Sequence, residues 1–390
     1  MINFDEVICR KNTDCVKYDF HKSRNIPEDC LPLWIADMDF KVCDKILDQL
    51  NKRIEHGIFG YSERGEGFFN SIINWMDKRF NWTIEKEWIV TVMGVVPAIN
   101  FLINGLTEPG DGILIEKPVY HPFEDSIKNN NRKVVNSSLI LKDGKYFMDF
   151  EDLEKKIKDN NVKLIILCNP HNPVGRVWSR EELIKFGEIC LKHKVTIISD
   201  EIHQDLVYKK YKHTPIASIS EELSHITITC TAPSKSFNIA GLQVSNIIIK
   251  NQCLREKFQS KLKEYGIGSV NSLGLVACEA AYKYGEQWLE EVIDYLEGNK
   301  EFFKNFIKEK LPQIKVIEPE GTYLLWVDFR GLGLNYNELE DLMLNKAKLW
   351  LDEGYIFGKE GQGFERINIA CSRKILERAL NQLEKAIKNI

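Results

Sequence analysis

The middle of the chain alternates short, nearly unbroken apolar runs with longer amphipathic ones, and this alternation restricts the fold more than any other feature. The runs "EWIVTV", "GILIEKP", "VKLIILCNP", "VTIISDE", "HITITC" and "SNIIIK" are rich in β-branched residues, as strands buried on both faces must be. Between them lie stretches of helical texture such as "VVPAINFLINGL" and "SREELIKFGEICLKH". Strand, helix and strand in series imply a largely parallel sheet with right-handed crossovers and helices on both sides, an α/β fold. "LILKDGKYFMDF" interrupts the series, with Asp143 and Gly144 at an expected hairpin turn. From about residue 285 the texture changes to long amphipathic helices, a strand "TYLLWVDF", and a last helix from about Ser372. Its apolar face carries Ile375, Leu376, Ala379, Leu380, Leu383 and Ile387. A length of 390 residues exceeds the usual size of one domain. The expectation is a large domain over 46–284 and a smaller α+β domain made of 1–45 and 285–390.

Composition narrows the function. Hydrophobic residues make up 44% and charged residues 28% of the chain, ordinary soluble usage, and no stretch approaches the ~20 apolar residues that span a bilayer. The amino terminus "MINFDEVICRKNTD" carries acids and lacks an apolar core, so it does not read as a secretory signal, and a cytoplasmic location is expected. The 10 cysteines are irregularly spaced with no CxxC pair, which points to reduced thiols and away from a disulfide framework or a metal site. A net charge of −4 with interspersed signs argues against a nucleic-acid footprint and for a small substrate.

In open α/β sheets, ligands bind at the carboxyl ends of the strands. The residues just past each apolar run are therefore the ones to weigh. After "IVTV" come Gly94, Val95 and Val96, opening a helix whose free amides suit a phosphate. Tyr120 follows "GILIEKP", Asn172 and Gly175 follow "KLIILC", and Asp200 and His203 follow "VTIIS". Ser234 and Lys235 follow "ITITC", in "TAPSKSFNIAGLQ". This set suits a planar cofactor bearing a phosphate, an aldehyde and a ring nitrogen. A lysine whose amine is made neutral by its surroundings can bond to the aldehyde. An aspartate beside the ring nitrogen keeps it protonated, so the ring can draw electrons from a bound substrate.

The order "GVV", "PVYHPF", "CNPHNPVG", "SDEIH", "SKSFNIAGL" and "INIACSR" resembles the fold-type I pyridoxal 5′-phosphate (PLP) enzymes of the aspartate aminotransferase superfamily, class I/II. "RKNTDCVKYDF", "LPLWIADMDF" and "FGKEGQGFERINIACSR" are similar to the MalY/PatB-type cystathionine β-lyase branch. The resemblance runs end to end and implies a mostly parallel seven-stranded sheet between helices. It implies that Lys235 bonds to PLP and removes the substrate α-proton, that Asp200 pairs with the ring nitrogen and Asn172 with the ring hydroxyl, and that Tyr120 stacks on the ring. Gly94, Val95, Val96 and Ser234 would hold the phosphate. Tyr61 would come from the neighbouring subunit of a homodimer with shared active sites, Arg373 would grip the substrate carboxylate, and Ala36 would add a backbone contact to it.

Two positions depart from the superfamily pattern. Gln243 stands where an arginine usually meets the phosphate, and His203 stands where many aminotransferases carry tyrosine. The implied reaction is carbon–sulfur β-elimination of L-cystathionine to homocysteine, pyruvate and ammonia, with other S-substituted cysteines as further substrates. The site residues alone serve transamination equally well, so an aminotransferase is the alternative. A regulatory protein-binding role beside the lyase activity is a third reading, without direct DNA contact.

Overall fold

A computed structural model describes residues 3–389. Seven strands form the central sheet: β1 (Ile89–Val92), β2 (Gly112–Ile115), β3 (Lys133–Asn136), β4 (Leu164–Cys168), β5 (Thr196–Asp200), β6 (Thr227–Thr231) and β7 (Ser245–Ile249). Their order is β1-β7-β6-β5-β4-β2-β3. Only β7 runs against its neighbours. Each apolar run of the sequence supplies one of these strands because every residue of β1, β2, β4, β6 and β7 is buried. The seventh, β3, was not legible as a strand. It lies at the sheet edge with Lys133 exposed, so burial does not force a continuous apolar run there.

Helix α1 (Val95–Leu106) follows β1, and α2 (Arg180–His193) joins β4 to β5. The start of α2 is fixed by a capping box between Ser179 and Glu182. The expected hairpin is present, pairing Ile140–Lys142 with Lys145–Phe147. Asp143 and Gly144 both take positive φ, 51° and 74°, as a two-residue turn matched to strand twist requires.

A four-stranded antiparallel sheet lies later in the chain, built from β8 (Lys315–Val316), β9 (Leu324–Asp328), β10 (Asp352–Glu353) and β11 (Phe364–Asn368) in the order β8-β9-β11-β10. The final helix (Arg373–Ile387) begins after Ser372 and buries Leu376, Ala379, Leu380, Leu383 and Ile387, the face expected from sequence. Among the described residues no helix is long and apolar enough to cross a membrane.

The amino-terminal segment is laid against this second sheet. Leu31–Pro32 pairs in parallel with Leu349–Trp350, Asn368 N–H donates to Leu33 O, and Asp39 N–H donates to Ala370 O. A charge cluster then pins the loop that follows. Asp39 accepts from Arg10 at 2.7 Å, Lys17 at 2.9 Å and the Tyr18 hydroxyl at 3.0 Å, while Arg10 also holds Asp37 at 2.6 Å. Burial alone would raise the Asp39 pKa, but Lys17 and Arg10 hold its carboxyl below the usual range. Lys17 is fully buried, so its charge depends on that carboxylate. Asp39→Ala is expected to cost ~3 kcal/mol or more in denaturant unfolding, the usual penalty for stranding a buried charge; an unchanged midpoint would show that the cluster does not hold the loop.

Candidate active site

Parallel pairing sets the ends of three strands in one row. Cys168, Asp200 and Cys230 are register partners across β4, β5 and β6, so Asp200 reaches the carboxyl edge between two thiols. Residue alternation points Glu201 the other way, where it binds Ser199 Oγ and His213 Nε2, each at 2.8 Å. Beyond β6, extended Ala232 leads into the single turn α3 (Pro233–Ser236). Ser236 Oγ anchors this turn to Asp205 at 2.7 Å, and Lys235 projects from it with Nζ donating to Ala36 O at 2.6 Å.

Ala36, Gly94, Val95, Val96, Tyr120, Asn172, Asp200, His203, Ser234 and Lys235 all line one cavity of about 220 Å³. Gln243 lines it too. The loops after five strands therefore converge with the clamped residue 35–39 loop. Gly94 precedes the first turn of α1, where the amides of Val95 and Val96 have no partner within the helix. A Cβ on Gly94 would come within 3.2 Å of Pro97 Cδ, so glycine avoids crowding the first turn of the helix.

The charged groups of the cavity are pushed toward neutrality. Burial lowers the Lys235 amine to about 8, with Asp37 and Asp200 opposing and Arg366 adding to the effect. Burial raises the Asp200 carboxyl to about 7 against the Ile202 N–H that donates to it at 3.1 Å. Burial also lowers the His203 imidazole to about 3, with Lys235 and Arg366 adding to the shift. Its Nδ1 is a buried atom without a hydrogen-bond partner. A carboxylate desolvated in this way is completed by a protonated ring nitrogen, and free helix-start amides with a nearby hydroxyl suit a phosphate. The residues present thus fit PLP.

Two expected residues lie elsewhere. Arg373 does not line the cavity. It opens the final helix, its Nε donates to Asn299 Oδ1 at 2.8 Å, and its guanidinium sits 4.6 Å from the Phe302 ring centre. Helix packing holds it against Glu286–Lys310, and the reading of Arg373 as the carboxylate arginine is corrected on that ground. Arg366, seven residues earlier on β11, is the arginine beside the cavity. Its Nη1 donates to Asn172 Oδ1 at 2.9 Å and its Nη2 to Trp34 O at 3.0 Å, and it pairs with Asp352. Its Nε is buried without a partner. Arg366 is buried along with the whole of β11, and nothing in the sequence marked it out. Tyr61 also stays out of the cavity within one protomer; its ring is fully exposed.

Comparisons with known proteins agree with this geometry. Residues 28–383 match the model of the family "Aminotransferase class I and II". Cystathionine beta-lyase PatB of Bacillus subtilis (strain 168) is 44% identical over 386 residues, covering 99% of this chain and 100% of its own length. A PLP-bound protein of Clostridium difficile 630, provisionally named an aminotransferase, superposes with a TM-score of 0.97 at 49% identity, covering 99% of this chain and 100% of its own. Cystalysin of Treponema denticola, whose crystal structure contains PLP, also has a TM-score of 0.97, at 42% identity over 100% of this chain and 99% of its own. The chain belongs to the aminotransferase class I and II family.

Proposed function

We propose that this protein is a PLP-dependent carbon–sulfur β-lyase that cleaves L-cystathionine to homocysteine, pyruvate and ammonia. The observation that carries the reading is the convergence of Lys235, Asp200, Asn172 and the Gly94 helix entrance on one cavity; end-to-end similarity to PatB directs it toward the lyase. When bound, PLP supplies an aldehyde that captures the substrate amine and a ring that draws electron density from the substrate α-carbon.

The chain's own residues do the rest. With PLP bound, the Asp200 carboxylate would pair with the protonated ring nitrogen, and burial would strengthen that pairing. Asn172, its oxygen engaged by Arg366, offers its amide N–H₂ to the ring hydroxyl. Tyr120, whose backbone N–H is tied to Asn172 O at 3.0 Å, would offer its aromatic face to the ring. The amides of Val95 and Val96 and the Ser234 hydroxyl would hold the phosphate, with Gln243 lining the same cavity. Arg366, through its guanidinium edge, grips the substrate α-carboxylate and so fixes which α-carbon bond is broken. Ala36 adds a backbone contact. Lys235 Nζ, poised near neutral pH, takes the α-proton, and departure of the sulfur substituent from the β-carbon follows.

The dimer with shared sites is part of the proposal. Ile54, Ile58, Phe59 and Tyr61 expose large apolar surfaces within a few residues of one another, the kind of patch that a subunit interface covers and that would carry Tyr61 to a neighbouring cavity.

Pure protein supplied with PLP and L-cystathionine, and no keto acid, is expected to release pyruvate and free thiol in equal amounts over many turnovers. Turnover that appears only when a keto acid is added would replace the lyase with an aminotransferase. Arg366→Ala is expected to lower kcat/KM by at least ~100-fold, the usual loss when a buried charge-assisted contact to substrate is removed, while Arg373→Ala leaves it within a few-fold. The opposite ranking in steady-state kinetics would restore Arg373 to the site.

A further inference from the structure

We propose that Tyr323 is a positioning residue for Lys235: its hydroxyl and the lysine amine share the Ala36 carbonyl, and that sharing sets where the free amine rests and how readily it leaves. The inference rests on the reading of Lys235 given above. Lys235 Nζ donates to Ala36 O at 2.6 Å and Tyr323 Oη donates to the same oxygen at 3.0 Å. A carbonyl oxygen has two lone pairs, so both are taken.

The carbonyl cannot turn to follow the lysine. Asn368 Nδ2 donates to Ile35 O and to Asp37 O, each at 2.7 Å, and Arg366 Nη2 donates to Trp34 O. The peptide units on both sides of Ala36 are thereby fixed, and the Arg10 pairing of Asp37 fixes the loop from outside. Tyr323 is itself buried just before β9, its ring in a T-shaped contact with His203. Burial raises its hydroxyl pKa well above the ordinary value, so it remains a donor at any working pH.

The charged and titratable groups facing Lys235 are Asp37 from the loop, Asp200 and His203 from the end of β5, and Arg366 from β11. The two aspartates favour the ammonium; Arg366 and burial oppose it. Tyr323 adds a neutral donor on the oxygen that the ammonium needs. By drawing on that oxygen it weakens the hold on the charged amine and favours the neutral form that must bond to the aldehyde and take the α-proton.

The test uses protein from which PLP has been removed. Trace acetic anhydride is reacted across neutral and alkaline pH, and mass spectrometry of the peptide bearing Lys235 gives that amine's titration midpoint. Tyr323→Phe is expected to raise the midpoint by about half a pH unit, which slows labelling at neutral pH about threefold. Replacing Tyr323 with 3,5-difluorotyrosine, a stronger donor of nearly the same shape, is expected to lower it, and this protein decides the matter should the phenylalanine variant fold poorly. A midpoint that is unmoved, or moved in the opposite sense, in either protein overturns the inference. Borohydride fixation of PLP on Lys235 reports separately on the cofactor reading. Fixation elsewhere would sink that reading, whereas fixation on Lys235 with an unmoved midpoint would sink only the role of Tyr323.

Discussion

Parallel pairing of β4, β5 and β6 is the constraint on which the rest of the site depends. Because the three strands share one direction and one register, their loops leave from one edge. Residues far apart in sequence then meet without any local signal between them. Asp200 ends β5, Asn172 follows β4 by a few residues, and Lys235 sits one turn beyond β6. A slip of one residue in β5 would exchange Asp200 for Glu201 at the cavity, and Glu201 is already committed to Ser199 and His213 on the far side. The His213 bond, made from outside the strand, therefore also protects the register.

The same edge concentrates charge where little water can reach it. Lys235 and Asp200 are both shifted toward neutrality by burial, a state that works against folding stability and is maintained by the packed core beneath. A protonated ring nitrogen beside Asp200 and a covalent partner for Lys235 would each remove one of these penalties. PLP would thus complete two groups that burial holds near neutrality, and the clamped loop around Ala36 keeps the amine aimed.

How much of this could be read from the sequence follows from burial and from distance. Strands buried on both faces were legible as unbroken apolar runs, and the Asp143–Gly144 turn was legible from its two residues. The edge strand at Lys133 was not, because solvent on its outer side relaxes the pattern. That residues directly following a strand would share one cavity was legible for the same reason the strands were. Arg366, the proposed carboxylate arginine, was passed over for Arg373, although both lie in "FERINIACSR". Choosing between them requires knowing that β11 faces Asn172, Trp34 and Asp352, which come from separate parts of the chain. Tyr323 was missed on similar grounds: its partner Ala36 lies 287 positions away, and nothing in "EGTYLLWVDF" distinguishes a hydroxyl that positions a lysine from a core aromatic.

On the proposed reading, the cavity delivers one particular amine, that of Lys235, to the cofactor. Reduction of the PLP-loaded protein with tritiated borohydride, followed by digestion and peptide mapping, tests this directly. The account predicts label on the peptide containing "TAPSKSFNIAGLQ", at Lys235 and at no other lysine. Label on a different lysine, or label that persists at full level in Lys235→Ala, would contradict it.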